Sequence, residues 1–131
     1  MDIIATSSTW KNIPIDRPKR IDIQLHFTNE EFLKLSKGLI PQQMEDKWFV
    51  YYHNEWIYFH RSWTGCGIYK AQIFKENESY LIKDFWVERN FTNYQRINDF
   101  IDMRIFSELI ADRLLGVDVQ RIQGKKKKNN K

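Results

Sequence analysis

The chain has 131 residues, of which 42% are hydrophobic and 15% aromatic, a size that suits one domain with one modest core. Its net charge of +4 arises at the C-terminus, because without the five lysines of residues 125–131 the chain has 16 basic and 17 acidic residues. A nearly neutral body argues against a nucleic-acid-binding domain, which needs a basic face. The single cysteine, Cys66, excludes a disulfide framework within the chain.

The sequence also predicts the compartment and the absence of bound groups. No apolar run approaches the roughly 20 residues of a membrane span, and the first residues lack the basic and apolar regions of a signal peptide. We therefore expect a cytoplasmic protein without a membrane partner. The three histidines lack the spacing of metal ligands, so no metal and no cofactor are predicted.

The first elements of the chain are an arm, a strand and a short helix. Residues 1–20 show no sustained period and contain two prolines, which predicts an extended N-terminal arm. Residues 21–27 alternate apolar and polar side chains, as a strand with one buried face does. Thr28 and Glu31 have the spacing of a capping box, so a short helix is expected to follow, to about Lys37.

An aromatic meander forms the middle of the chain. Short turn-forming segments separate runs that are rich in aromatic and β-branched residues. Short connections make neighbouring strands antiparallel. The predicted strands are residues 47–52, 56–63, 68–75 and 80–89.

The last predicted element is one long helix. A second capping-box pattern joins Thr92 and Gln95, and apolar residues then recur at helical spacing as far as Gly116. The predicted fold is α+β in the order β-α-β-β-β-β-α, with a curved antiparallel sheet packed on one long C-terminal helix. Residues 21–123 form this domain, and residues 124–131 are expected to be a disordered basic tail.

One edge of the predicted sheet collects polar and aromatic side chains. The second and fourth strands of the meander run in the same direction, so their C-terminal ends lie at the same edge as the starts of the first and third strands. The first turn of the long helix, at residues 90–95, is expected there too, with free amides that favour an anion. The predicted ligand-binding residues at this edge are Trp48, His60, Arg61, Ser62, Trp63, Thr64, Tyr69, Trp86, Arg89 and Asn90.

These side chains are of two chemical types. Guanidinium and hydroxyl groups hold phosphates, and here they belong to Arg61, Ser62, Thr64 and Arg89. Aromatic rings stack on a flat base or on a sugar, and here they belong to Trp48, Trp63, Tyr69 and Trp86. The pattern predicts a site for a phosphorylated small molecule.

Strand alternation limits this prediction. His60 and Ser62 lie on one face of the strand, whereas Arg61 and Trp63 lie on the other. Both pairs face one pocket only if the strand bulges near its end, where two glycines follow. The phosphate hypothesis favours Arg61 and Trp63, and a catalytic hypothesis favours His60.

Structural roles and catalysis are alternatives for the same residues. His60 is equally typical of a structural histidine at a sheet edge, and Arg61 has Asp84 and Glu88 as candidate ion-pair partners. If the protein is an enzyme, the acid–base candidates are His60, Glu88 and Asp84. The sequence shows no nucleophile–base–orienter set, so no catalytic residue is predicted in the binding interpretation.

Several stretches resemble a small domain of bacteria and phages. They are Lys-Trp-Phe at 47–49, His-Arg-Ser-Trp-Thr-Gly at 60–65, Ile-Tyr-Lys at 68–70, Trp-Val at 86–87 and Arg-Leu-Leu-Gly at 113–116. The resemblance covers about residues 44–116. Such domains occur alone and fused or adjacent to ADP-ribosylglycohydrolase-like proteins, which implies ADP-ribose or NAD-derived chemistry. The chain departs from the family pattern at Glu88 and Asn90, where the family has Asn and Asp.

Together, the residues and the resemblance predict non-catalytic binding of a nucleotide-derived phosphorylated small molecule of the ADP-ribose or NAD type. Sequestration follows as a role, for example in a phage protein that removes a cyclic ADP-ribose immune signal. One alternative is a hydrolase of the same ligands that uses His60 and an acidic residue. Another is a nucleic-acid or protein-interaction module that acts through Lys125, Lys126, Lys127 and Lys128. A homo-oligomer is a further alternative, because one sheet face lacks a predicted cover.

Overall fold

The computed structural model of the chain describes residues 3–123. Its strands are β1 (Pro18–Thr28), β2 (Trp48–His53), β3 (Trp56–Arg61), β4 (Gly67–Gln72), β5 (Phe74–Glu76) and β6 (Ser79–Glu88). Its helices are α1 (Asn29–Lys37), α2 (Asp99–Glu108), a π-helical segment (Leu109–Leu115) and α3 (Val119–Gln123). The α+β class is confirmed. The predicted tail at residues 124–131 lies outside the described residues.

The strands form one antiparallel sheet in the order β1-β6-β4-β3-β2, with β5 beside β6. The predicted meander is therefore correct, and β1 returns to lie beside its last strand. The third predicted strand, residues 68–75, is split in two at Ile73. The buried Ile73 lies between the two strands, and its amide donates to the Glu55 carbonyl at 2.8 Å.

The short helix begins and ends as the sequence predicts. The hydroxyl of Thr28 accepts from the amide of Glu31 at 3.1 Å, and the Glu31 carboxylate accepts from the amide of Thr28 at 2.9 Å. This reciprocal capping box satisfies two amides that the first helical turn leaves free. Gly38 follows at φ 71°, a conformation that suits glycine at a helix end.

The prediction of one long C-terminal helix from Thr92 is wrong. The helix begins at Asp99, where the side chain of Asn98 accepts from the amide of Ile101 at 3.0 Å. It changes to π-helix at Leu109 and ends at Gly116, and the short α3 follows. Residues 91–93 form a turn and residues 94–98 an irregular segment instead, because Tyr94 is buried in the core there.

The helices and the N-terminal arm cover different parts of the sheet. Helix α1 packs against β1, β2 and β6, while α2 and α3 pack against β1, and the main core lies between them. The arm runs over the opposite face of the meander. There the amide of Ile13 donates to the Gly65 carbonyl at 2.7 Å, and the Trp10 indole donates to the Ser62 carbonyl at 2.8 Å. Ala5 of the arm packs in a second, smaller cluster with Phe49 and Tyr51.

Candidate functional site

The sheet register brings the ends of β2, β3, β4 and β6 to one edge. Trp48 pairs with Arg61, and His60 pairs with Gly67. In the next ladder Tyr69 pairs with Val87, one residue before Glu88. The residues predicted to gather at this edge therefore do lie close together along the strands. However, some of their side chains are on one face of the sheet and the others are on the opposite face.

Arg61 lies on the helix-covered face, and its guanidinium is held by aromatic rings. Its Cζ atom lies 4.7 Å from the centre of the Trp48 ring and 5.8 Å from that of Tyr94. Both rings are buried, at 7% and 5% exposure, so they fix the position of the charge. No ion pair or side-chain hydrogen bond within residues 3–123 uses this guanidinium, and Asp84 and Glu88 do not pair with it. Its donors are therefore available to a ligand.

Two adjoining clefts meet at Arg61. The first has a volume of about 380 Å³ and is lined by Lys47, Arg61, Trp63, Thr64 and Asn93. The second has a volume of about 360 Å³ and is lined by Arg61, Asn93, Tyr94, Gln95 and Arg96. Three of these residues are cations and none is a carboxylate. The clefts thus form a positively charged groove, which we call the Arg61 groove.

Trp63 provides a fixed aromatic surface in this groove. Its side chain is 64% exposed, and its indole nitrogen donates to the Met44 carbonyl at 2.9 Å. Exposed tryptophans are uncommon in a folded surface without a partner, and this hydrogen bond restricts the ring to one orientation. Thr64 lies beside it, and its hydroxyl accepts from the Cys66 amide at 3.1 Å.

Three other predicted site residues are parts of the core or its edge. Trp48 packs under Arg61, and the Ser62 hydroxyl donates to the Asp46 carbonyl at 2.7 Å. The buried Tyr69 hydroxyl donates to Asp102 at 2.7 Å. These side chains position the groove and do not line the two clefts.

The predicted residues of the β6 end have protein partners. One nitrogen of Arg89 donates to Asp99 at 2.7 Å and to Asp102 at 2.8 Å. The Asn90 side chain donates to Asp16 at 2.8 Å. Trp86 lies on the opposite face of the sheet from the Arg61 groove, opposite Lys70 in the ladder. The structure therefore does not bring Trp86, Arg89 or Asn90 to the clefts.

The predicted anion site at the amides of residues 90–95 is wrong. The amides of Asn93 and Tyr94 donate to the Asn90 carbonyl, and the amide of Thr92 donates to the Asn90 side chain. The true start of the helix, at Asp99, has two carboxylates in its first turn. Such a terminus repels an anion, and Asp99 is already bound by Lys19 and Arg89.

His60 faces the N-terminal arm and is buried at 3% exposure. Its Nδ1 lies 3.1 Å from the Gly65 carbonyl, so Nδ1 carries the proton of the neutral ring. Burial lowers the pKa of His60. Its Nε2 has no hydrogen-bond partner within residues 3–123.

The three candidate acid–base residues are not joined to one another. Asp84 pairs with Arg20 at 3.0 Å. The carboxylate of Glu88 accepts from the amides of Asp16, Arg17 and Asn90, at 2.8, 2.9 and 2.9 Å. No hydrogen bond connects either carboxylate to His60 in the part of the chain that the structure describes.

Four residues that line the groove are not among the predicted site residues: Asn93, Tyr94, Gln95 and Arg96. The sequence pattern places them at the start of a helix, whereas in the structure Asn93 ends a turn and the other three lie in an irregular segment. The alternative cap, Asn98 followed by Asp99 and Asp102, was the signal that could have located the N-cap six residues later than Thr92.

Comparisons with protein-family models, curated proteins and solved structures find no match. The family resemblance of residues 44–116 thus stays a prediction. Among the described residues, no group of three or more histidine, cysteine or acidic side chains is arranged to hold a metal. No helix within residues 3–123 has the length and apolar character needed to cross a membrane.

Proposed function

We propose that the chain binds a phosphorylated, ring-bearing small molecule of the ADP-ribose type in the Arg61 groove, without transforming it. The observation that carries this proposal is the unpaired Arg61 guanidinium, held 4.7 Å from the Trp48 ring between two open clefts. A fixed, unpaired arginine is preorganised for an oxyanion, because its donors need no rearrangement on binding.

The positive charge of the Arg61 groove supports the proposal that it binds a phosphate. Lys47 and Arg96 are exposed and, like Arg61, form no ion pair within the described residues. Other arginines of this region behave differently, since Arg89 binds Asp99 and Asp102 and Arg20 binds Asp22 and Asp84. Three unpaired cations around one groove attract more than one negative charge, as a diphosphate supplies.

The shape of the groove supports a ligand with a ring beside its phosphates. Each cleft lies within the usual range for small-molecule sites, from about 300 to about 1,000 Å³. Trp63 borders the first cleft and offers a flat surface to a base or a ribose, while the second cleft is lined by polar and basic groups. We assign the ring to the Trp63 side and the phosphates to Arg61 and Arg96.

The ADP-ribose class rests on the resemblance of residues 44–116 to domains found beside ADP-ribosylglycohydrolase-like proteins. Binding without turnover is favoured because no hydrogen bond joins His60 to Glu88 or Asp84 in residues 3–123. A small protein that binds such a ligand tightly acts by sequestering it, and a phage copy could remove a cyclic ADP-ribose signal in this way.

Calorimetry of the full chain with a ligand series tests the proposal. We expect ADP-ribose to bind with Kd of about 10 µM or tighter, and adenosine and ribose phosphate each to bind at least about tenfold more weakly. After incubation, the protein is denatured and the ligand is recovered and analysed. Unchanged ADP-ribose supports binding, whereas cleavage products contradict it and favour the hydrolase. Absence of heat with ADP-ribose and its cyclic isomers removes the proposal.

A further inference from the structure

A second cavity lies on the opposite face of the sheet, between the N-terminal arm and the strands. Its volume is about 320 Å³, and it is more enclosed than the Arg61 groove. The arm contributes Asn12, Pro14 and Ile15, and the sheet contributes Tyr51, Tyr58, His60 and Lys70. We call it the arm cavity.

The residues of the arm cavity include polar groups that the fold leaves without partners. The hydroxyls of Tyr51 and Tyr58 and the ammonium of Lys70 take part in no hydrogen bond or ion pair within residues 3–123. The two tyrosine rings stack at 4.8 Å, and the Lys70 ammonium lies 5.5 Å from the centre of the Trp56 ring. Burial raises the pKa of both phenols, so they stay protonated and act as donors.

His60 adds an acceptor to these donors. Because its Nδ1–H is directed to the Gly65 carbonyl, its Nε2 has a free lone pair. This atom is buried and has no partner among the described residues, and a buried acceptor without a partner destabilises the fold. A ligand that donates a hydrogen bond at His60 would supply the partner.

We propose that the arm cavity is a second binding site, for a small single-ring organic anion that also carries a hydrogen-bond donor. Lys70 and the tyrosine hydroxyls bind the anionic group, Tyr58 and Pro14 contact the ring, and His60 accepts from the donor. The volume suits one ring with small substituents. The site is independent of the Arg61 groove, because His60 and Arg61 lie on opposite faces of β3.

Para-hydroxybenzoate is a probe with this chemistry, and two analogues each lack one feature. Para-hydroxybenzamide replaces the anionic group with a neutral amide, and benzoate lacks the hydroxyl donor. We expect para-hydroxybenzoate to bind the full chain with Kd below about 1 mM and each analogue at least about tenfold more weakly. Heteronuclear NMR of the His60 ring is expected to show a shift of the Nε2 resonance with the probe and a smaller one with benzoate.

Two lysine variants provide the test of position. Lys70→Met removes the ammonium of the cavity, and Lys83→Met is the matched control, because Lys83 also contacts a ring, that of Phe74 at 4.8 Å. We expect K70M to weaken the probe at least about tenfold and K83M to leave it unchanged. Arg61→Gln is expected to leave it unchanged as well, which separates this site from the Arg61 groove.

Three results overturn the proposal: no binding of para-hydroxybenzoate up to about 10 mM, equal binding of its neutral amide, or equal loss of binding in K70M and K83M. Loss of the probe in R61Q with retention in K70M would instead place it in the Arg61 groove. Failure of ADP-ribose to bind bears only on the function proposed for that groove.

Discussion

The Arg61 guanidinium lies 4.7 Å from the centre of the Trp48 ring and has no carboxylate partner within residues 3–123. Twenty-eight positions later in the chain, Arg89 is bound by two carboxylates, one of which is fully buried. The two arginines therefore have different roles. Arg89 holds the fold together, whereas Arg61 presents its charge to a groove.

This difference predicts that the same substitution lowers stability much more at Arg89 than at Arg61. Arg89→Met leaves the buried Asp102 without its cation, and breaking a buried pair in this way costs about 3–5 kcal/mol. Arg61→Met keeps an aliphatic stem over Trp48 and leaves no charge unpaired, so we expect a change within about 1 kcal/mol. Unfolding in urea measures both free energies. Equal losses in the two variants would contradict the separate roles.

Two glycines that share a positive φ differ in the space around them. Gly38 has φ 71°, and a methyl group there would overlap the Val50 carbonyl oxygen. Gly116 has φ 70°, but no heavy atom lies within 4 Å of the position that a Cβ would take. We expect Gly116→Ala to cost about 1 kcal/mol and Gly38→Ala clearly more. The free energies of unfolding of the two variants in urea test this prediction. A larger loss of stability in G116A than in G38A would contradict the close packing at Gly38.

His60 makes stability depend on pH. Its pKa is lowered by burial in the folded chain, whereas an unfolded histidine titrates at about 6.5. Protons therefore bind the unfolded state first, and the contribution of His60 to stability is lost as pH falls below about 6.5 toward its folded pKa. His60→Asn keeps a donor for Gly65 but does not titrate, so we expect its stability to fall less between about pH 7 and about pH 5. Parallel curves for the two proteins would contradict a neutral His60.

Glu88 connects the arm to the sheet, and its loss should free the arm. Burial raises the pKa of this carboxyl, but the amides of Asp16, Asn90 and Arg17 outweigh that effect and lower it overall. Glu88→Gln removes the charge that accepts these donors, for which we expect a loss of about 1.5–3 kcal/mol. Amide exchange at Asp16 and Arg17 is expected to accelerate.

Glu78→Gln is the control for this variant, because Glu78 is exposed and its side chain forms no hydrogen bond or ion pair within residues 3–123. Its stability should change by no more than about 0.5 kcal/mol. If E88Q exchanges its arm amides at the wild-type rate, the carboxylate does not anchor the arm.

The sheet could be predicted because its signals are local. Alternating apolar residues and two-residue turns such as that at Asn54 and Glu55, where both φ angles are positive, specify antiparallel neighbours. The register that follows brings Arg61 beside Trp48. The same alternation also correctly predicted that His60 and Arg61 lie on opposite faces of β3.

The start of the last helix could not be predicted from capping patterns, because Thr92 and Asn98 both fit them. The choice depends on tertiary contacts: Tyr94 is buried with its hydroxyl 2.6 Å from Asp102, and the Arg89 guanidinium donates to the Arg96 carbonyl at 3.0 Å. These contacts require residues 90–96 to turn back toward the sheet edge, which a helix from Thr92 would prevent.

This error carried over to the site. Arg89 and Asn90 are predicted as ligand residues because they end a strand at the polar edge, whereas in the structure their side chains bind Asp99 and Asp16. Arg96 is not predicted as a site residue because the pattern places it in the helix. Arg61, Trp63 and Thr64 line the first cleft together because they are close in sequence and follow β3, which ends at Arg61, two residues before the predicted end.

Calorimetric titration of ADP-ribose into three proteins tests the central claim most directly. They are the wild type, Arg61→Gln and Arg104→Gln, which removes one positive charge from an exposed arginine on α2 outside the groove. We predict that R61Q weakens binding at least about tenfold and that R104Q binds as the wild type does. Equal affinities in R61Q and the wild type, or no binding of ADP-ribose to the wild type, would contradict the account.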